Sequence, residues 1–357
     1  MRHFKTSKNF VKKSTALIAL VFFLIPQKNF SAGPSSGEGF NAGDMILHHI
    51  YDSHEWHVFD WKGKSYSIPL PIILYHQESG FDFFMSSKFN HGKDIYRGFK
   101  LDHGNIVSVD ENGNIDEGST AMLWDFSITK NVFSLFFSIL ILLIVFTSIS
   151  KKYKKNANAP PSGLQSFLEP IIIFVRDDIA KSAIGEKHYQ KYLTFLLTVF
   201  FFIFLNNLLG LVPFFPGGAN LTGNIAVPMV LAALVFIITT LSGTKYYWKH
   251  IFAMPGVPKP VLLILTPIEI IGVLLKPLVL MIRLFANITA GHIIILSFFS
   301  MIFIFGEMHP AAGYGVSFFS GMFVLFMMTL ELLVAFLQAY VFTLLAAMYF
   351  GSALEEH

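Results

Sequence analysis

Cysteine is absent from the 357 residues. That excludes disulfides, thiolate catalysis and cysteine-ligated zinc. Charge is nearly as scarce. Asp, Glu, Lys and Arg make up 14% of the chain, against roughly 25% in soluble proteins. The shortage is uneven. Residues 192–244 carry no charged side chain, and residues 260–354 carry only Glu269, Lys276, Arg283, Glu307 and Glu331. What fills the space is apolar: 54% of the chain, with 40 phenylalanines. Such a chain is not a soluble globular protein, a disordered chain or a coiled coil; it is built from several membrane spans. Basic residues gather in short stretches between apolar runs, where topology accounts for them, so no nucleic-acid partner is expected.

Residues 1–32 read as a secretory signal. Arg2, Lys5, Lys8, Lys12 and Lys13 precede an apolar run of about ten residues, too short for a bilayer. Ser31-Ala32 offers a cleavage point. Residues 33–125 are polar and hold seven of the 13 histidines. His57-Val58-Phe59-Asp60-Trp61 and Lys64-Ser65-Tyr66-Ser67-Ile68, joined by Lys62-Gly63, alternate as a hairpin does, and Asn112-Gly113 marks a second turn. This predicts a small β-rich domain, exported if the signal holds.

Five spans are predicted in residues 126–357: about 127–149, 192–212, 225–243, 262–305 and 316–350. Lys151, Lys152, Lys154 and Lys155 follow the first span and place its end in the cytoplasm. Apolar positions 164, 167, 168, 171, 172, 175 and 179 form one face of a helix that also carries Arg176, Asp177 and Asp178. It should lie on the cytoplasmic surface rather than cross. Pro213 and Pro216-Gly217-Gly218 read as an outer loop, Lys245, Lys249 and Lys259 as an inner one. The run 262–305 is about 66 Å long as a helix. It is either one tilted helix or two pieces broken at Pro267 and Pro277. A further outer loop is expected around Pro310 and Gly313, and the tail ends inside. The fold class is therefore all-α and polytopic: five transmembrane helices, two of them long and paired as a hairpin, one surface amphipathic helix, and the small β-rich domain.

An ion in a spanning segment costs roughly 2.5–3.5 kcal/mol by insertion scales. Arg283 cannot shed its proton to escape that cost. Either another helix supplies a counter-charge, or the arginine faces a mobile anion or substrate. Helical spacing puts Glu269, Lys276, Arg283 and Asn287 on one stripe, about 27 Å long. His292 lies about 180° round from Arg283 and ~13 Å further outward. Glu331 and Gln338 share a face of the last helix, with Glu331 at a depth like that of His292. A Glu/His pair in apolar surroundings passes protons, or forms a neutral structural pair.

Lys276-Pro277, Arg283-Leu284-Phe285-Ala286-Asn287, Ala290-Gly291, Gln338 and the closing Glu355-Glu356-His357 resemble subunit a of the rotary F-type ATP synthase. Asn206-Asn207-Leu208-Leu209-Gly210-Leu211-Val212-Pro213 and Ala219-Asn220-Leu221-Thr222 resemble that family too. The resemblance covers about 160–357 and is strongest at 266–296. It implies a stator subunit of a bacterial inner-membrane complex. Its partners would be the c-ring, the peripheral stalk subunit b, the ATPase head and the lipid bilayer. Arg283 matches the essential arginine that pairs with the ring carboxylate. Asn287 and Gln338 match polar residues beside it. Glu269 matches a carboxylate of the cytoplasmic half-channel, and His292 and Glu331 match the pair of the external one. Many bacterial members carry that pair the other way round, and some carry an acid where Gly210 stands. No cofactor or metal is implied.

Rival signals are weaker. His54-Glu55-Trp56-His57 falls one residue short of a zinc motif, and Gly63-Lys64-Ser65 lacks the first glycine of a P-loop. A secondary transporter with a substrate-binding Arg283 is the alternative, but it would usually show repeats. Ser297, Ser300 and Ser320 form no hydrolase set.

Overall fold

The computed structural model describes residues 41–61, 64–102, 104–155, 160–212 and 215–355. The signal-like segment, residues 1–32, and the turn Lys62-Gly63 lie outside the described residues. One compact unit includes His57–Ile68; the other holds Asn41–Trp56 and Pro69–His357.

The amino-terminal region contains strands β1 (Glu55–Trp61), β2 (Lys64–Pro69), β3 (Pro71–His76), β4 (Gly80–Met85), β5 (Phe99–Asp102), β6 (Asn105–Ser108) and β7 (Leu123–Asp125). They make three small sheets, ordered β1-β2, β4-β3-β7 and β5-β6. The hairpin expected around Lys62-Gly63 is therefore β1-β2. The Asn112-Gly113 turn is also present: Gly113 sits at φ +82°, and its N–H donates to the Asp110 carbonyl at 3.0 Å. The region is not β alone, because it also holds helices α1 (Ala42–Ile50) and α2 (Glu117–Ala121). Helix α1 lies against the long helix α8 described below.

Helices then dominate: α3 (Lys130–Lys155), α4 (Leu164–Phe174), α5 (Tyr189–Leu211), α6 (Ala226–Ser242), α7 (Lys245–Phe252), α8 (Lys259–Met308) and α9 (Pro310–Leu354). Four of them, α3, α5, α8 and α9, are long and apolar enough to cross a membrane. The bent pair α6 and α7 raises that to five if it counts as one span. With 17 residues, α6 is at the short end of what spans.

Helix α8 is one piece of 50 residues with Pro267 and Pro277 inside it, about 75 Å long. The break considered at those prolines does not occur. The loop expected around Pro310 and Gly313 is also nearly absent, since His309 alone separates α8 from α9. Pro310 begins α9, where a missing N–H costs nothing. Gly313 packs against Gly306, with the site of an added Cβ only 2.7 Å from the Gly306 Cα. Small residues here bring two helices together rather than open a loop. The expected inner loop after residue 244 is helix α7, turned 104° from α6. Thr244 caps it by accepting from the Tyr247 N–H.

After α4 the helix continues through a π turn, Val175–Lys181, and Ser182–Ile184. The extra residue rotates the face, so that Val175, Ile179, Ala180 and Ile184 are all buried. Leu164 and Phe167, at the start of the expected stripe, remain exposed. Arg176 pairs with Asp177 at 2.7 Å. Hydrogen bonding from Arg176 holds the Asp177 carboxyl down at about 2. The main core joins Val175, Ile179, Leu196, Phe200, Leu280, Leu284, Phe342 and Phe350. Alanines line the buried side of α9 and let neighbours approach.

Candidate functional site

Helices α5, α8 and α9 enclose a small cavity lined by Asn207, Asn287, His292 and Glu331, among others. It has room for about one water. Its walls explain the geometry. Gly291 of α8 meets Glu331 of α9: a Cβ there would overlap the carboxylate. Gly210 of α5 gives way to His292, whose Nε2 lies 3.6 Å from where a Cβ would be. One Glu331 oxygen, Oε2, is buried and has no hydrogen-bond partner among the described residues. An unpaired buried acceptor costs about 1–3 kcal/mol.

A polar chain leads away from this cavity. Asn207 Nδ2 donates to the Ala335 carbonyl at 3.3 Å. Thr222 Oγ1 donates to Asn207 Oδ1 at 2.7 Å. Thr289 Oγ1 donates to the Gly223 carbonyl at 3.5 Å. Asn220, on the same α5–α6 connection, is buried with both side-chain polar atoms unpartnered among the described residues. The charge-free stretch 192–244 thus supplies neutral polar groups to the site. The family resemblance takes in Asn207, Asn220 and Thr222 without giving them a role, yet a pair of asparagines in so apolar a run is itself a signal.

His292, Glu331 and Asn287 are brought together. Asn287 therefore does not belong to the Arg283 stripe alone; it borders the His292 cavity as well. Gln338 is buried on α9, two turns and about 10 Å along the helix from Glu331. Arg283 is exposed on α8. Among the described residues it makes no ion pair. The exposed Ala286 and Ala290 continue its side of the helix, leaving the guanidinium room to meet a partner. Lys276 is occupied differently: its Nζ lies over the Tyr349 ring, 5.4 Å from the centroid. A second cavity there is lined by Thr239, Tyr247, Lys276 and Tyr349. Glu269 is half-buried on α8, about 21 Å along the helix from Arg283, and is not part of either cavity.

Residues 132–351 match the model of the ATP synthase A chain family. The chain belongs to that family. Residues 45–126 match a second model, a domain of unknown function (DUF8433). Curated relatives include the ATP synthase subunit a of Chlorobium phaeobacteroides strain DSM 266, 45% identical over 91% of this chain and 80% of that protein. That of strain BS1 is 39% identical over 90% and 79%. That of Anaeromyxobacter sp. strain Fw109-5 is 32% identical over 93% and 75%. With its long apolar helices, this ATP synthase A chain member is an integral membrane protein. Its family model ends at residue 351, so both cavities and Arg283 fall inside the matched part.

Proposed function

We propose that the chain is the stator subunit of a proton-driven rotary ATP synthase in a bacterial inner membrane. It crosses five times, counting α6 with α7, with residues 33–125 exported behind a signal at 1–32, residues 126–357 forming the membrane domain, and the tail in the cytoplasm. The helix running through the π turn lies on the cytoplasmic surface. Protons enter from outside past Asn220, Thr222 and Asn207 to the His292/Glu331 cavity. From there Asn287 and Gln338 pass them to a carboxylate on the c-ring. Once neutral, that carboxylate rotates into lipid at small cost. After nearly a full turn it meets the inner route near Glu269 and releases its proton. Arg283 stands between the routes, attracts the ionised ring carboxylate and repels protons. Each charge that crosses gains ~2.3 kcal/mol per 100 mV. The peripheral stalk subunit b holds the stator against the ATPase head.

One observation carries this reading. Arg283 is a permanent cation, exposed on an apolar helix and without an ion-pair partner among the described residues. It lies about 13 Å along that helix from His292, and Asn287, one turn from it, borders the His292 cavity. In an intact complex Arg283→Ala should abolish ATP synthesis driven by an imposed proton gradient. Continued synthesis would sink the mechanism.

A further inference from the structure

The three-stranded sheet β4-β3-β7 has one buried face and one open face. Ile72, Leu74 and Phe84 fill the buried face. Register assigns the other. Pro71 pairs with Met85, Ile73 with Phe83, and Tyr75 with Phe81; Tyr75 also pairs with Trp124. Residues directly opposite in an antiparallel pair share a face. Phe126 joins them, two residues beyond Trp124, with its N–H bonded to the Ile73 carbonyl at 2.9 Å. Ring contacts agree: Tyr75 and Phe81 lie 4.8 Å apart, and Trp124 stacks on Phe126 at 6.4 Å. Phe81 is 75% exposed, Phe83 66%, Trp124 57%, Phe126 57% and Met85 38%. At roughly 200 Å² per large side chain this leaves about 600 Å² open. That is the upper end of what a monomer leaves uncovered. No charged side chain belongs to this face; Asp82 and Asp125 both lie opposite Leu74, on the other side.

Continuity with the first span identifies what covers it. Phe126 is four residues before α3, so at most about 14 Å of chain separates them. That connection has no slack. The Ile128 N–H donates to the Pro71 carbonyl at 3.0 Å and the Lys130 N–H to the Ser53 carbonyl at 2.9 Å. The Asn131 N–H donates to Asp52 Oδ1 at 3.0 Å. The sheet is thus held at the level where α3 enters the bilayer. Below it α3 presents exposed Phe136, Leu140, Leu143 and Ile144, one side of a helix suited to lipid. Tryptophan and tyrosine at that level match the composition of the membrane–water interface, and the phenylalanines add apolar surface beside them.

We propose that the face formed by Phe81, Phe83, Met85, Trp124 and Phe126 is a lipid-docking surface that rests in the headgroup layer of the outer leaflet. It rests on the proposed topology, in which α3 crosses with its amino-terminal end outside. Because the chain has no cysteine, single cysteines label one position within it. The test uses the intact complex, with no other reactive cysteine, in phosphatidylcholine bilayers. Phe83→Cys, Glu111→Cys and Leu140→Cys each carry a fluorophore. Quenchers are phosphatidylcholine with a nitroxide on the headgroup, phosphatidylcholine with a nitroxide deep in the acyl chain, and aqueous iodide. Phe83→Cys should be quenched several-fold more by the headgroup nitroxide than Glu111→Cys, and far less by iodide. Leu140→Cys should respond to the acyl-chain nitroxide. If Leu140→Cys responds but Phe83→Cys is open to iodide, the docking surface is wrong while the lipid-facing span of α3 stands. If Phe83→Cys is shielded from iodide and from both lipids, a protein subunit covers the face and the proposal is equally overturned. If Leu140→Cys fails to respond, α3 does not present that side to lipid and the span on which the proposal rests fails with it.

Discussion

Gly291→Ala tests the cavity at its tightest point. The added Cβ would overlap the Glu331 carboxylate, and the three nearest atoms it meets all belong to that side chain. The carboxylate must therefore swing away by about an ångström or more to reach an ordinary contact. The methyl group also occupies the room for one water that the cavity offers. Displacing a reacting group by about 1 Å costs on the order of 100-fold in rate. The helix itself gains, since alanine is favoured over glycine by ~1 kcal/mol, which offsets part of an overpacking cost of about 1–3 kcal/mol. Assembly should therefore survive while proton flow falls roughly 10- to 100-fold. The assay is ATP-driven acidification of inverted vesicles, with passive proton conductance after removal of the ATPase head. Gly272→Ala is the control, on the same helix with nothing within 4 Å of an added Cβ. Adding Glu331→Asp, one methylene shorter, should recover part of the Gly291→Ala loss. Unchanged conductance in an assembled Gly291→Ala complex would show that Glu331 does not carry protons from this position.

Three other outcomes follow from packing and charge. Trp56 is buried at 4% exposure, edge-on to Phe133 at 5.6 Å and to Phe215 at 5.2 Å; Trp56→Ala should cost about 3–5 kcal/mol locally, and hydrogen exchange in 215–224 should accelerate accordingly. Gly351→Ala places a methyl on the Ala183 carbonyl oxygen; with backbone on both sides it should lower the amount of assembled subunit, and normal assembly would contradict the packing. Burial pushes the Asp125 carboxyl up, but hydrogen bonds from His54 and Ser127 outweigh it and hold it below the ordinary 3.8. A lowered folded value means that its stabilisation is present above that ordinary value and is lost as pH falls through the folded one. Exchange at β7, corrected for intrinsic rates, should therefore rise in strong acid, and Asp125→Asn should remove that pH dependence.

The apolar runs were legible because nothing else in an aqueous protein removes charge over fifty residues. Arg283 was legible for the converse reason, since a permanent cation in such a run is expensive. Glycine and proline misled. Pro310 and Gly313 suggest a loop by composition, yet one starts a helix and the other packs against Gly306. In membrane helices small residues mark close approach as often as they mark turns, and only the partner helix decides which. Helix α7 was hidden because its lysines look like a solvated loop, while its buried Tyr247 and Ile251 reveal themselves only against Ala353 and Val273. The open face of β4-β3-β7 needed the register: Trp124 is far along the chain from Phe81 and Phe83, and β3 unites them, Tyr75 pairing with both Phe81 and Trp124 and Ile73 with Phe83.

The site shows the same limit in its chemistry. Spacing on α8 puts Arg283 and His292 on different sides of the helix, but it cannot say that Asn287 borders the His292 cavity, because α5 and α9 supply the rest of that cavity's wall. It also treats Gly210 and His292 as unrelated departures from the family pattern. In space they are one arrangement. The His292 Nε2 lies 3.6 Å from the place a Gly210 Cβ would take, and Gly291 on the same turn of α8 leaves room for the Glu331 carboxylate. An acid on α5 would contend with the imidazole for the space that Gly210 leaves open. Gly210 and Gly291 therefore leave the space in which the His292 imidazole and the Glu331 carboxylate share one cavity.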